Sequence, residues 1–589
     1  MGTLRKIKRA LRGEVNLTTA ALEAFRRTRV SLQTRFESKD PNPLNLCTRI
    51  DRKPKFFPIE THADFQLPSV EQPAEWNRDP RSGYLWPLDY HRDIKVMRSD
   101  GSDIRVVWEL NRLAHFITLG RAYMLTKDER FASAFMDQLR NWNEQNPYGR
   151  GPNWQCAMEV ALRAINLIAA FEMFRQSPQL DTQFLLRLFQ QHGNYIRRNL
   201  EFSYIATSNH YLSDVAGLLW LGVMLPELRD AENWRDFGLK ELLREMEKQV
   251  LPDGADFEAS TGYHRFVTEL FLYSFWLCRE NGIAIDQKYW HKLRAMLLYI
   301  RGYLRPDGFA PLIGDTDGGQ FLPLEQRRAD DHAYVLEVGA RVFNDPSLRE
   351  PETDSTAFPD AGTYVMRHED LYLCFNASDA GIKGRGSHGH NDALSIEVSA
   401  GGCAFIVDPG TYVYTGDLAK RHEFRSTAYH STVKIDGVEQ NTIQQDMPFV
   451  IGNEARPRVL QWKADKIVAE HYGYRRLKHP VTHRRTVVFN RQERSWLIED
   501  EFLGEDVEHD FEVWFHFAPG LRISVQENAV EAHAPDTDLT LTVRSLSLSV
   551  LPVLEQQFTS HDYDQISESF SACWRFSGRP GKLSWKLSS

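Results

Sequence analysis

Three things are scarce in this 589-residue chain, and each scarcity excludes a class of protein. Cysteine is the first. The six (Cys47, Cys156, Cys278, Cys374, Cys403, Cys573) are scattered with no CxxC pair, so they read as buried thiols rather than a disulfide framework. Long apolar runs are the second: nothing approaches the roughly 18 consecutive apolar residues of a membrane span. The basic start is broken by Arg, Glu and Asn over residues 5–16, so no signal-peptide core is expected. Location therefore stays open between cytoplasm, periplasm and exterior. The third scarcity is positive charge. Against 80 acidic residues stand 71 basic ones, a net charge of −9, which disfavours nucleic acid as a partner. Residues 1–29 are the exception, with Arg5, Lys6, Lys8, Arg9, Arg12, Arg26, Arg27 and Arg29 against Glu14 and Glu23. They read as a solvated helix face rather than an anchoring arm.

What is present is an ordinary globular composition, 42% hydrophobic and 26% charged, long enough for two or three domains. Aromatics reach 12%, which fits large cores and also suits rings that stack on sugars. From about residue 100 to 345 apolar residues recur at helical spacing, as in Val106, Leu110, Leu113, Ile117 and Met124. Helices are expected near 156–175, 182–200, 210–224, 235–250, 261–282, 287–304 and 324–343, separated by breaks such as Pro252-Asp253-Gly254 and Pro306-Asp307-Gly308. Successive short-linked helices form hairpins packed as a bundle, a solenoid or an α/α toroid. After about residue 350 the period becomes two. Residues 393–398 alternate, turn through Ala400-Gly401-Gly402 and return as 404–407, a hairpin signal. Strands at 433–435, 458–462, 487–489, 495–498 and 539–543 point to a β-sandwich.

Chemistry-bearing residues cluster in both halves. His388 and His390 lie two apart, so an extended segment would aim both rings to one face. Two neutral imidazoles with a carboxylate suit Zn²⁺, which makes His390, Asp408 and His430 a three-ligand candidate. In the helical half, Ser208-Asn209-His210 opens one helix and Thr261-Gly262-Tyr263-His264-Arg265 opens another. Helix starts in a toroid lie at the rim, where loops build a cleft; the plainer readings are an N-cap for Asn209 and a core-edge ring for Tyr263.

Taken together, the stretches "NWQCAMEVALRAINL", "SNHYLSD", "DGADFEASTGYHR", "IGDTDGG", "SHGHNDALSIEV", "VDPGTYVY" and "RSTAYHSTVKIDGVEQN" resemble the heparinase II/III-like polysaccharide lyases. That resemblance implies an α+β multidomain chain. An N-terminal α/α toroid, an incomplete barrel of helical hairpins over 100–350, would precede an antiparallel β-sandwich over 351–589. Residues 1–99 would be an extension packing on the toroid. It also implies β-elimination at a uronic acid of an anionic polysaccharide, glycosaminoglycan-type or a bacterial exopolysaccharide. The C5 proton is alpha to a carboxylate, so that carboxylate must be neutralised by donors, here Asn209 and His388. Tyr263 or His210 would be the base, Tyr263 needing a cation such as His388 or Arg265 to lower its pKa from about 10. Trp154, Arg265 and Arg425 are candidate sugar contacts. His390, Asp408 and His430 would hold a structural Zn²⁺, with Ca²⁺ or no metal as alternatives while a fourth ligand is unassigned. The rival readings are a toroid glycoside hydrolase using two of Asp253, Asp256, Glu258, Asp315 and Asp317, and a non-catalytic polysaccharide-binding component.

Overall fold

The protein is described here by a computed structural model covering residues 54–58, 68–70 and 75–589 apart from 326, 385 and 536. The basic stretch 1–29, Cys47 and most of the expected extension over 1–99 lie outside the described residues.

Ten helices run from Ile104–Asn111 to Ala333–Phe343 among the described residues before the first strand. Their sequences alternate in kind. Ala157–Phe174, Asn209–Met224 and Thr261–Glu280 are buried along almost their whole length. Thr182–Arg198, Ala231–Gln249 and Gln287–Tyr303, which lie between them, each bury a single stripe. A helix apolar all round must be covered on every side, whereas an amphipathic one needs cover on one side. The chain meets both needs by placing the fully buried helices side by side as an inner ring and the amphipathic ones outside. This is an incomplete α/α toroid. Inner helices approach closely at Gly217, where an added Cβ would lie 2.7 Å from that of Ala161. No helix among the described residues is long and apolar enough to cross a membrane.

Two helical expectations differ from what forms. The run 106–124 is two helices, Ile104–Asn111 and His115–Thr126, parted at Leu113 with φ of 59°. Its cause lies in Asn111 and Arg112, which turn inward. The Asn111 amide donates to the Trp76 carbonyl at 2.7 Å, and Arg112 clasps Glu159 at 2.7 and 2.8 Å. The helix expected over 324–343 starts only at Ala333. Pro323 precedes it, and main-chain groups of the missing turns bond elsewhere: Asp330 accepts from the Ala310 N–H at 2.9 Å and Leu324 accepts from Arg121.

Among the described residues the second half holds three antiparallel sheets of five, eight and four strands. The five-stranded sheet runs Thr356–Phe358, Thr363–His368, Leu371–Asn376, Ile396–Ala400, Cys403–Ile406 in spatial order. Gly401 and Gly402, with φ of 59° and 76°, make the tight turn of its last hairpin. One apolar core, including Phe375, Phe405, Trp496, Phe515, Trp574 and Trp585, is shared among the sheets. The segment 311–319 lies between the two halves. Around it the Leu312 N–H donates to Glu397 at 3.2 Å, Arg367 donates to the carbonyls of Gly302 and Leu304, and the Tyr372 hydroxyl donates to that of Tyr303 at 2.7 Å.

Candidate active site

Two inner helices begin at the same end of the toroid, and serine caps fix their first turns. The Ser208 side chain accepts from the His210 N–H, and that of Ser260 accepts from the Tyr263 N–H at 3.0 Å. Asn209, His210 and Tyr263 thereby stand where the helical half meets the sheets. Gly314, with φ of 71°, lets the linking segment pass: a Cβ there would sit 2.6 Å from the Ala259 carbonyl and 2.8 Å from that of His388.

The side chains converge from both halves. The His388 ring stacks on Tyr263 with centroids 3.5 Å apart and planes at 11°. Nδ1 of His388 lies 2.9 Å from Asp315 and Nε2 lies 3.3 Å from Glu258. Fully buried Glu258 also accepts the Asn209 main-chain N–H at 2.8 Å and its side-chain amide at 3.0 Å to each oxygen. Asp315 is the most heavily bonded carboxylate of the group. It takes His388, His390 at 2.8 Å, Thr411 at 3.1 Å and both terminal nitrogens of Arg421. Burial alone would raise its pKa, but Arg421 and the two histidines hold it well below the usual carboxylate range. The Tyr263 hydroxyl pairs with that of Tyr414 at 3.1 Å. Burial first, then the Asp317 carboxylate, pushes the Tyr263 phenol well above 10. The lowering expected from His388 or Arg265 does not prevail, because His388 faces carboxylates and Arg265 points elsewhere.

Next to this group lie His390, Asp408 and His430, all buried, with one ligand atom from each within 4.8 Å of the others. His390 bonds Asp315 through Nε2, and His430 bonds Asp408 through Nδ1 at 2.8 Å. The remaining nitrogens, His390 Nδ1 and His430 Nε2, are buried without a hydrogen-bond partner. Two orphaned imidazole nitrogens, each on a ring held by a carboxylate, fit a metal site.

Comparison with known proteins agrees with this architecture. The description "Heparinase II/III N-terminus" matches residues 3–326, and "Heparinase II/III-like, C-terminal" matches 350–578. The chain belongs to the heparinase II/III-like family of polysaccharide lyases. A heparin-sulfate lyase of Pedobacter heparinus is 26% identical over 484 residues, 77% of this chain and 70% of its own length. One from Bacteroides stercoris is 24% identical over 454 residues, 72% of this chain and 66% of its own. A crystal structure of heparinase III shares the fold with a TM-score of 0.68 at 19% identity, over 84% of this chain and 81% of that one. Heparan sulfate lyase HepC from Pedobacter heparinus gives 0.58 at 21% identity, over 91% and 86%.

Within this heparinase-like frame, Asn209, Tyr263 and His388 come together, and His210 lies beside them. The expected sugar contacts do not reach a surface. Trp154 is buried and donates to the Asn146 carbonyl at 3.2 Å. Arg265 is spent on Glu269 and the Gly319 carbonyl, and Arg425 on the carbonyls of Met447, Pro448 and Val450. Each is a structural donor inside the protein, because a buried guanidinium or indole N–H must find a nearby acceptor. His388 and His390 do not sit on an extended strand, since Ser387 has φ of 37°, yet both rings reach the one Asp315 carboxylate. Sequence reasoning missed Asp315, Arg421, Glu258, Tyr414 and Glu201 as site residues. In the sequence Asp315 and Glu258 stand out only as candidate hydrolase acids. The motifs "IGDTDGG", "DGADFEAS" and "VDPGTYVY" were the available signal for three of them.

Proposed function

We propose that this lyase cleaves a glycosaminoglycan of the heparan sulfate type by β-elimination at a uronate, leaving a 4,5-unsaturated end. The observation that carries the reading is the stack of His388 on Tyr263 beside the buried Asn209 amide, at the seam between the two halves. In this reading Asn209 offers its amide N–H to the substrate carboxylate, so that negative charge developing at C5 meets a fixed donor. Glu258 holds that amide in place. His388, clamped by Asp315, orients the Tyr263 ring. The Tyr263 oxygen accepts the C5 hydrogen while its own hydrogen passes to O4; the C4–O4 bond breaks and the C4–C5 double bond forms. A phenol that gives one proton as it takes another need not ionise, which suits a pKa pushed above 10.

His390, Asp408 and His430 would hold the metal, and the two imidazoles favour Zn²⁺ over Ca²⁺. When bound, it would supply a structural cross-link, taking no part in the proton transfers. A hydrolase mechanism is disfavoured because three of its five candidate acids are already held by side chains: Asp315 by Arg421, Asp317 by Arg105 and Glu258 by Asn209.

The test is ultraviolet absorbance of the unsaturated product with heparan sulfate. A rising signal that Tyr263→Phe lowers by roughly 10³-fold or more, with an unchanged melting temperature, is the expected result. Reducing ends without absorbance would overturn it.

A further inference from the structure

His210 differs from its neighbours at the site. Asn209, Tyr263, His388 and Tyr414 are buried, whereas 38% of the His210 side chain is exposed. Its Nδ1 lies 2.7 Å from Glu201 Oε2, and Nε2 has no protein partner among the described residues. The geometry points to Glu201 as a positioning residue that holds His210 as a cationic Nε2–H donor on its exposed side, where it takes an oxyanion of the polysaccharide, a sulfate or the uronate carboxylate. This rests on the lyase reading for the polymer's identity but not for the pair itself.

Glu201 is built to stay ionised. Its other oxygen accepts the Met158 N–H at 3.0 Å, in the first turn of Ala157–Phe174, and the Cys156 thiol at 3.1 Å. A helix N-terminus stabilises a carboxylate placed there. The Glu201 main-chain N–H is tied to Asp214 at 2.7 Å, so the loop that carries it is pinned to Asn209–Met224, the helix that carries His210. Burial would raise the Glu201 pKa, but His210, Met158 and Cys156 bring it down to about 2. Burial would likewise lower that of His210. Glu201 outweighs it and lifts the ring to about 9, with Glu258 and Glu159 adding to the effect. The thiol of Cys156 is pushed well up by burial, and burial together with the Glu201 carboxylate pushes Asp214 up as well.

In this reading the Glu201 carboxylate 2.7 Å away favours the protonated ring, so His210 serves recognition while the Tyr263 oxygen takes the C5 proton. The carboxylate fixes which nitrogen faces the protein, as in catalytic dyads, but here it also keeps the second nitrogen charged. Phe202, Tyr204 and Ile205 are exposed on the loop just after Glu201.

Two readouts test the pair. Histidine-selective ¹⁵N spectra, with the His210 signal identified by its loss in His210→Gln, should show the ring titrating near 9. In Glu201→Gln it should fall toward the ordinary value of about 6.5 and in Glu201→Asp return part of the way. Calorimetric binding of a heparan sulfate tetrasaccharide and its desulfated counterpart at neutral pH should weaken roughly 10-fold or more in both Glu201→Gln and His210→Gln. A penalty confined to the sulfated sugar assigns the sulfate; an equal penalty on both assigns the carboxylate. A wild-type ring titrating near 6.5, a titration unchanged in Glu201→Gln, or wild-type-like binding by both variants overturns the proposal, as does a wild-type protein that binds neither sugar. If the titration and binding hold while no polymer gains absorbance, the lyase reading fails and this one stands.

Discussion

Asp315 shows how one residue binds the site together. A single carboxylate collects His388, which supports Tyr263, His390, which faces the metal candidate, and Arg421 from the sheet half. Its partners lie 73 to 106 residues away along the chain. No local spacing could reveal that, and for this reason Asp315 read from sequence as one free acid among several. Removing it as Asp315→Ala leaves Arg421 charged and buried without its partner, at a cost of about 3–5 kcal/mol. The expected result in urea unfolding at neutral pH is an unfolding free energy lower by that amount, seen as a lower midpoint, with activity lost as well. The pH dependence follows from the direction of the shift. The folded pKa lies below the unfolded value of about 3.9, so the stabilisation is present above about pH 4 and is lost as pH falls toward the folded value. The wild type should therefore lose stability more steeply than Asp315→Ala on acidification below pH 4; parallel acid curves would refute it.

At the level of elements, the sequence was most legible where one period ran unbroken. The helices Thr182–Arg198, Thr261–Glu280 and Gln287–Tyr303 begin and end within two residues of expectation, because polar caps and Pro or Gly breaks bracket them. The hairpin at Gly401-Gly402 was equally plain. Legibility failed where tertiary bonds replaced local ones, as at Leu113 and over 324–332. It also failed for Lys466–His471, paired on both sides, and for the edge strand Val553–Asp562, whose burial is irregular and whose alternation is weak. The candidate site divides in the same way. Asn209 and Tyr263 follow recognisable caps, whereas the carboxylates that hold them are ordinary acids in the sequence. His390, Asp408 and His430 come from three separate turns around the strands Ile396–Ala400, Cys403–Ile406 and Val433–Ile435. Dialysis against a chelator should lower the melting temperature by about 2–4 °C and Zn²⁺ should restore it, since binding only the folded state stabilises by about 2.7 kcal/mol at a hundredfold excess over Kd. His390→Ala should abolish that response; a melting temperature indifferent to chelator and to Zn²⁺ in the wild type would show that no such ion contributes.

Across the whole molecule, the two halves have different periods and different cores, yet the seam between them is dense with polar bonds that neither half can satisfy alone. Tyr372 and Arg367 cap carbonyls at the end of Gln287–Tyr303, Arg305 lies 3.6 Å from Glu397, and Asp103 accepts from Thr415 at 3.1 Å and from Tyr563 at 2.6 Å. Opening the seam would expose or strand these groups and separate Asp315 from Arg421, and each stranded buried donor or acceptor costs about 1–3 kcal/mol. Several such costs exceed what either half could lose and still remain folded, given stabilities of about 5–15 kcal/mol. The described residues from the toroid through the sandwich should therefore unfold together. Scanning calorimetry should give one main transition with calorimetric and van't Hoff enthalpies in agreement, and residues 351–589 expressed alone should lack cooperative melting. Two resolved transitions, each reproduced by its separately expressed half, would mean that the seam is a docking contact rather than part of one core. The active site would then be assembled by docking, and its activity would vanish at the lower of the two transitions.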